Sequence, residues 1–83
     1  MTLLYFAWVR QKIGKGEEVM SLPITVNSVE TLIAHLKQLD SGYADAFADP
    51  ARLRVAVNRR HCGFETAIGD SDEVAFFPPV TGG

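Results

Sequence analysis

Glu73-Val74-Ala75-Phe76-Phe77-Pro78-Pro79-Val80-Thr81-Gly82-Gly83 closes the sequence, and its reading decides the fold. Glu73 to Phe77 reads as a strand, with Val74 and Phe76 on one face and Ala75 and Phe77 on the other, because successive strand side chains alternate. Pro78 and Pro79 stop the ladder: each lacks an N–H and fixes its φ. Gly82 and Gly83 carry no side chain, so they can thread a channel too narrow for any other residue. Fully extended, Pro78 to Gly83 reaches roughly 20 Å, at ~3.3–3.6 Å per residue. The expectation is a folded body over 1–77 and an extended tail over 78–83 that carries the Gly83 carboxylate into another protein's site. An ordinary frayed terminus also tolerates small residues. The order of apolar strand, stiff Pro-Pro arm and Gly-Gly outweighs that simpler account.

The composition narrows what the body can do. With 83 residues, 47% of them hydrophobic, the chain forms one domain with a modest core. That leaves little room for a private catalytic cleft and places function on a surface or at an end. The net charge is −2, and apart from Arg59-Arg60 the basic residues are scattered, so nucleic acid has no electrostatic footprint. The single cysteine permits no internal disulfide and fits a reducing, cytoplasmic setting. Met1-Thr2-Leu3-Leu4-Tyr5-Phe6 lacks the basic start and A-x-A site of a signal peptide. No apolar run approaches the ~20 residues that cross a bilayer.

Working back along the chain, Leu3 to Val9 is short and apolar on both faces, and reads as a strand. Leu3, Tyr5, Ala7 and Val9 share one side; Leu4, Phe6 and Trp8 share the other. Gly14-Lys15-Gly16 is turn chemistry, and Glu17 to Leu22 reads as the second strand of a hairpin. Asn27 or Ser28 can cap a helix, and Asn27-x-x-Glu30 has capping-box spacing. Val29, Leu32, Ile33, Leu36 and Leu39 then fall on one helical stripe, which predicts a helix from about Val29 to Leu39, ended by Asp40-Ser41-Gly42. Tyr43 and Phe47, four apart in a loop or weak helical turn, plug one end of the core. Leu53 to Val57 alternates as a strand with Leu53, Val55 and Val57 inward, Asn58-Arg59 is a turn, and His61 to Phe64 is a short strand.

Residues able to do chemistry form no convincing set. His61 and Cys62 are adjacent in a strand and point to opposite faces, so they cannot converge as a nucleophile pair or as ligands. No second cysteine exists to complete a zinc set. His35 has no second ligand in helical register, and Asp70, Asp72 and Glu73 lack the spacing of a calcium loop. No metal site follows. The element order β-β-α-β-β-β describes an α+β fold: a mixed four- to five-stranded sheet with one main helix packed on one face, the first and last strands being central neighbours. A single helix covers one face only. The other face keeps Phe6, Trp8 and Phe77, and a partner is expected there.

Leu4-Tyr5-Phe6-Ala7 with Val9-Arg10, the Leu53-Arg54-Val55-Ala56-Val57-Asn58 strand, and above all Asp72 to Gly83 resemble the small subunit of molybdopterin synthase, a ubiquitin-like β-grasp sulfur carrier. The similarity covers the whole chain. It departs at Ser71, where relatives have glycine and where Gly69 could supply the freedom instead, and at His61, where relatives carry an aliphatic residue. The resemblance implies that Gly83 is adenylated by an E1-like activating enzyme using ATP and is then converted by a sulfur-donating enzyme to a thiocarboxylate. The tail Pro78, Pro79, Val80, Thr81 and Gly82 would deliver it into the synthase large subunit, where its sulfur builds the dithiolene of the pterin. It further implies partner contacts at Phe6 and Phe77, with Trp8, Arg10 and His61 beside them, no permanently bound cofactor, and a heterotetramer built on a large-subunit dimer. The alternatives are a sulfur carrier for thiamine or tRNA thiolation, and a ubiquitin-like protein modifier.

Overall fold

The computed structural model describes residues 1–79. Five strands form one mixed sheet: β1 (Thr2–Tyr5), β2 (Glu17–Val19), β3 (Arg54–Val57), β4 (Arg60–Cys62) and β5 (Glu73–Phe77). Their order is β2-β1-β5-β3-β4. β5 is central and runs parallel to β1, pairing Leu3 with Val74 and Tyr5 with Phe76. It runs antiparallel to β3, pairing Val55 with Phe76 and Arg54 with Phe77. The first and last strands are neighbours as the sequence indicates.

Three helices cover one face: α1 (Ala7–Ile13), α2 (Val29–Lys37) and α3 (Ser41–Ala46), followed by a short 3-10 turn (Pro50–Arg52). Leu3, Tyr5, Val55, Val74 and Phe76 from the sheet, Val9 from α1, Val29, Leu32 and Leu36 from α2, and Tyr43, Ala46 and Phe47 around α3 make a single core. Phe47 meets Phe76 edge-on at 4.9 Å between ring centres, so the Tyr43–Phe47 pair does plug one end.

α2 is the longest helix, and its phase is as the stripe predicts over its first turns, with Val29, Leu32 and Leu36 fully buried. Its cap differs. Ser28 is the N-cap, and its partner is Thr31: Thr31 N donates to Ser28 Oγ at 3.3 Å while Ser28 N donates to Thr31 Oγ1 at 2.9 Å. Glu30 therefore takes no part in the box; as the second helical residue it lies one position short of the reciprocal site. The helix ends two residues before Leu39, which is 50% exposed, because Asp40 opens a new helix and does not close the old one. Asp40 Oδ1 accepts from Tyr43 N at 3.1 Å. Gly42 sits in α3's first turn where it nears the end of α1; a Cβ there would lie 2.7 Å from the Lys12 carbonyl.

The main correction falls on Leu3–Val9. The strand stops at Tyr5, and the chain turns through Ala7, in left-handed conformation at φ 53°, into α1. Gly14 closes α1 at φ 93°, its N–H donating to the Arg10 carbonyl. The Gly14-Lys15-Gly16 turn is thus a helix C-cap, and β1 and β2 pair antiparallel across a helix and not across a tight hairpin. β2 is also shorter than the reading over Glu17–Leu22, ending at Val19. Asn58 and Arg59 form a two-residue turn between β3 and β4 with both φ values positive, 51° and 69°, the hairpin geometry that matches strand twist.

Candidate functional site: the open sheet face and the root of the tail

Among the described residues, no helix lies on the sheet's second face. Pairing registers lay a row across it from Glu17 through Leu4, Ala75 and Ala56 to His61. A second row holds Phe6, Phe77 and Arg54. Phe77 is opposite Arg54, and Phe6, whose N–H donates to the Phe76 carbonyl at 3.1 Å, continues β1 in extended conformation for one residue. Phe6 is 49% exposed. His61 turns its ring edge-on to Phe77, 5.2 Å between centres, while Cys62 packs on the opposite side against the core. The two residues diverge as strand alternation requires. Phe6, Phe77 and His61 therefore share one apolar, uncovered surface, and it abuts the end of β5 from which Pro78 and Pro79 leave.

Trp8 does not join that surface. Turning into α1 at Ala7 carries it to the helix side, where it packs against the core and lies under Arg52, whose guanidinium carbon is 5.5 Å from the ring centre. Arg10 is also on α1, exposed, with its guanidinium against Gly16. The strand reading placed Trp8 outward because Leu4, Phe6 and Trp8 alternate; the positive φ at Ala7 breaks that alternation. Of the tail, Pro78 and Pro79 are half-buried. Val80, Thr81, Gly82 and Gly83, including the reactive position assigned to Gly83, lie outside the described residues.

Two polar clusters went unread in the sequence. Asp72 ties the β3–β4 turn to the start of β5: Asn58 Nδ2 donates to Oδ1 at 2.9 Å and Gly69 N to Oδ2 at 2.8 Å. Asn58 Oδ1 in turn accepts from Glu73 N at 3.0 Å. The Asn58 amide, and after it the Gly69 N–H, hold the Asp72 carboxyl below its ordinary range, since both bonds favour the charged form. Gly69 has no positive φ and open space at its Cβ position, so its conformation does not require glycine. On the core face, Glu18 Oε2 accepts from the hydroxyls of Tyr5, at 2.7 Å, and Tyr43. Lys15 Nζ lies 3.5 Å from its other oxygen. Burial first, and then the bond to Glu18 and its charge, push both tyrosine hydroxyls well above the usual phenol range. This cluster pins β2 to β1 and α3 and holds the tyrosines as neutral donors. Tyr5 and Tyr43 had read only as core aromatics; no spacing rule links either of them to Glu18, which is reached through sheet pairing. Among the described residues, no group of three His, Cys, Asp or Glu side chains could hold a metal ion, and no helix is long and apolar enough to cross a membrane.

A parallel β1–β5 pair at the centre of a five-stranded mixed sheet, helices on one face, and a central C-terminal strand define a ubiquitin-like β-grasp domain. Residues 3–83 match the ThiS family, and the chain belongs to it. It is 38% identical over 81 residues to the molybdopterin synthase sulfur carrier subunit of Escherichia coli, covering 98% of this chain and 96% of that protein. Among solved structures, SAMP1 from Haloferax volcanii shares the fold with a TM-score of 0.76 at 23% identity, covering 100% of this chain and 98% of the other. A chain in the complex of subunits 1 and 2 of the molybdopterin-converting factor from Helicobacter pylori does so with a TM-score of 0.65 at 20% identity, covering 99% and 96%.

Proposed function

We propose that this chain is the sulfur carrier subunit of a molybdopterin synthase, working through a thiocarboxylate on Gly83. The supporting observation is the pairing of full-length similarity to a protein of that name with an uncovered apolar face beside the root of the tail. A carboxylate is a poor electrophile. Attack of a Gly83 oxygen on the α-phosphorus of ATP, releasing pyrophosphate, would give an acyl-adenylate with AMP as a good leaving group. A persulfide on the donor enzyme then displaces AMP to give an acyl disulfide, and a second thiol attacks the donor's own sulfur, forming a disulfide there and releasing Gly83 as the thiocarboxylate with one oxygen replaced. The thiocarboxylate is a better nucleophile than the carboxylate, and its sulfur passes to the pterin precursor.

In this reading Phe6 and Phe77 dock on the large subunit, His61 lies at the rim, and Arg10 flanks the interface from α1. The tail Pro78 to Gly82 enters the partner's site, which supplies the acids, bases and substrate contacts. The H. pylori complex supports such a pairing, since a chain of the same fold is found there with a second subunit. The expected assembly is a heterotetramer, acting in the cytoplasm; ATP belongs to the activating enzyme.

Tandem mass spectrometry of the protein from its native host tests the assignment. An oxygen-to-sulfur exchange localised to the C-terminal fragment, and reactive toward a thiol-directed reagent, is the expected result. Localisation matters because oxidation of Met1, Met20, Trp8 or Cys62 adds nearly the same mass. Gly83 joined to lysines of other proteins would make the chain a modifier instead, and an unmodified Gly83 in cells making the cofactor would overturn the proposal.

A further inference from the structure

The Trp8–Arg52 contact joins two segments far apart in the sequence. Trp8 opens α1, directly after β1; Arg52 closes the 3-10 turn, directly before β3. β1 and β3 flank β5 on its two sides. Continuing the registers beyond the last paired residues sets Ala7 level with Pro78, because β1 is parallel and pairs Tyr5 with Phe76. It sets Leu53 level with Pro78 and Arg52 level with Pro79, because β3 is antiparallel and pairs Arg54 with Phe77. The indole and the guanidinium, three residues past Tyr5 and two before Arg54, thus meet close to the end of β5 where the prolines leave the sheet, 5.5 Å from ring centre to guanidinium carbon. α1 packs in the helix layer and Trp8 against the core, so the contact lies on the helix side of the sheet, opposite the open face. Pro78 and Pro79 are half-buried at that level although the ladder has ended.

We propose that Trp8 and Arg52 form a strap across the root of the tail, and that both are positioning residues for sulfur delivery. The strap closes the helix side, so Pro78-Pro79 leaves toward the face that carries Phe6 and Phe77. The prolines supply stiffness along the arm, and the strap supplies its heading. A guanidinium over an indole face is well suited to such a strap, because it holds by electrostatic attraction to the ring while its stem packs along apolar surface. Arg54 does not compete for the ring, since its Nη1 donates to the carbonyls of Leu53 at 2.9 Å and Ala51 at 3.3 Å. Those bonds brace the turn that presents Arg52.

This inference rests on the sulfur-carrier reading for its consequence but not for its geometry, and the two are separated by experiment. Residual dipolar couplings at the Pro78 and Pro79 Cα–Hα bonds are measured in the full chain for wild type, Arg52→Gln and Arg52→Lys. In wild type and Arg52→Lys the couplings fit the alignment of the sheet; in Arg52→Gln they depart from it, with the sheet's own couplings unchanged. The thiocarboxylated proteins are then assembled with the large subunit and followed through a single turnover. Arg52→Gln slows transfer within the complex on the order of ten- to a hundred-fold, as misplacement of a reacting group does. The dissociation constant for the large subunit and the Tm stay as in wild type, and Arg52→Lys restores the rate. Proline couplings indifferent to Arg52→Gln, a rate loss matched by an equal loss of affinity or Tm, or no rescue by lysine would each overturn the strap. A wild-type protein that transfers no sulfur would sink the carrier reading, while the couplings would still decide for or against the strap.

Discussion

Phe77 concentrates the docking argument in a single side chain. It is the last residue of β5, it faces away from the core, and His61 already braces one edge of its ring. A half-buried aromatic at the centre of an apolar face is the kind of residue that carries binding energy. Phe77→Ala therefore weakens binding of the large subunit by about 1–3 kcal/mol, read by titration calorimetry; an unchanged dissociation constant would move the interface elsewhere. Asp72 makes a different residue-scale prediction. Its folded-state carboxyl titrates below the unfolded one because Asn58 and Gly69 hydrogen-bond the charged form. The stability it adds is complete above the unfolded pKa of about 4 and disappears as pH falls through the lower folded value. Urea unfolding from pH 7 down to strongly acidic conditions checks this: the gap between wild type and Asp72→Asn narrows as pH falls, and a gap that widened would refute the sign. Arg59 is held at φ 69° in the β3–β4 turn, where glycine is at ease. Arg59→Gly raises stability by about 0.5 kcal/mol, the left-handed strain relieved less the extra freedom of the unfolded chain; urea unfolding of the variant measures it, and a loss of stability would show that the turn holds Arg59 without strain.

At the scale of elements, the same residues explain what the sequence disclosed and what it hid. β5 was legible residue by residue because its alternation is clean and Pro78 ends it. α2 was legible because Val29, Leu32 and Leu36 repeat with helical period and Ser28 precedes them. Leu36→Ala accordingly costs roughly 2–5 kcal/mol as a core truncation, measured by urea unfolding; a negligible loss would contradict the buried position of Leu36. α1 was hidden. Val9 is buried whether the chain continues as a strand, sharing a face with Leu3 and Tyr5, or turns into a helix, so its burial cannot separate the two periods. Ala7 at positive φ gives no compositional warning, since alanine rarely adopts it. The signal that was present lay at the other end: Arg10 and Lys12 ahead of Gly14 make a helix C-terminus. Reading Gly14 only as a turn residue turned a helix into the end of a strand, and it carried Trp8 to the wrong face. The Phe6–Phe77 surface survived that error because Phe6 is the last residue before the break.

The whole molecule uses its two sheet faces differently. All three helices bury one face, while Phe6 and Phe77 lie on the other, beside the strand that leads to the tail. Fold and reagent can then be altered independently, which yields a prediction separating them. One residue appended after Gly83 leaves the core, Phe6 and Phe77 untouched, so Tm and the dissociation constant for the large subunit remain those of wild type. The terminal carboxylate, however, is displaced by ~3.5 Å along the arm, and Gly83 becomes an internal residue without the free carboxylate that the proposed adenylation needs. Sulfur loading falls to background, measured as the loss of thiol-reactive C-terminal fragment after incubation with the activating enzyme, ATP and the sulfur donor. Normal loading and transfer in the extended protein would show that chemistry at the terminal carboxylate is not the mechanism. Loss of partner binding together with loading would show that the tail, and not the open face, holds the complex together.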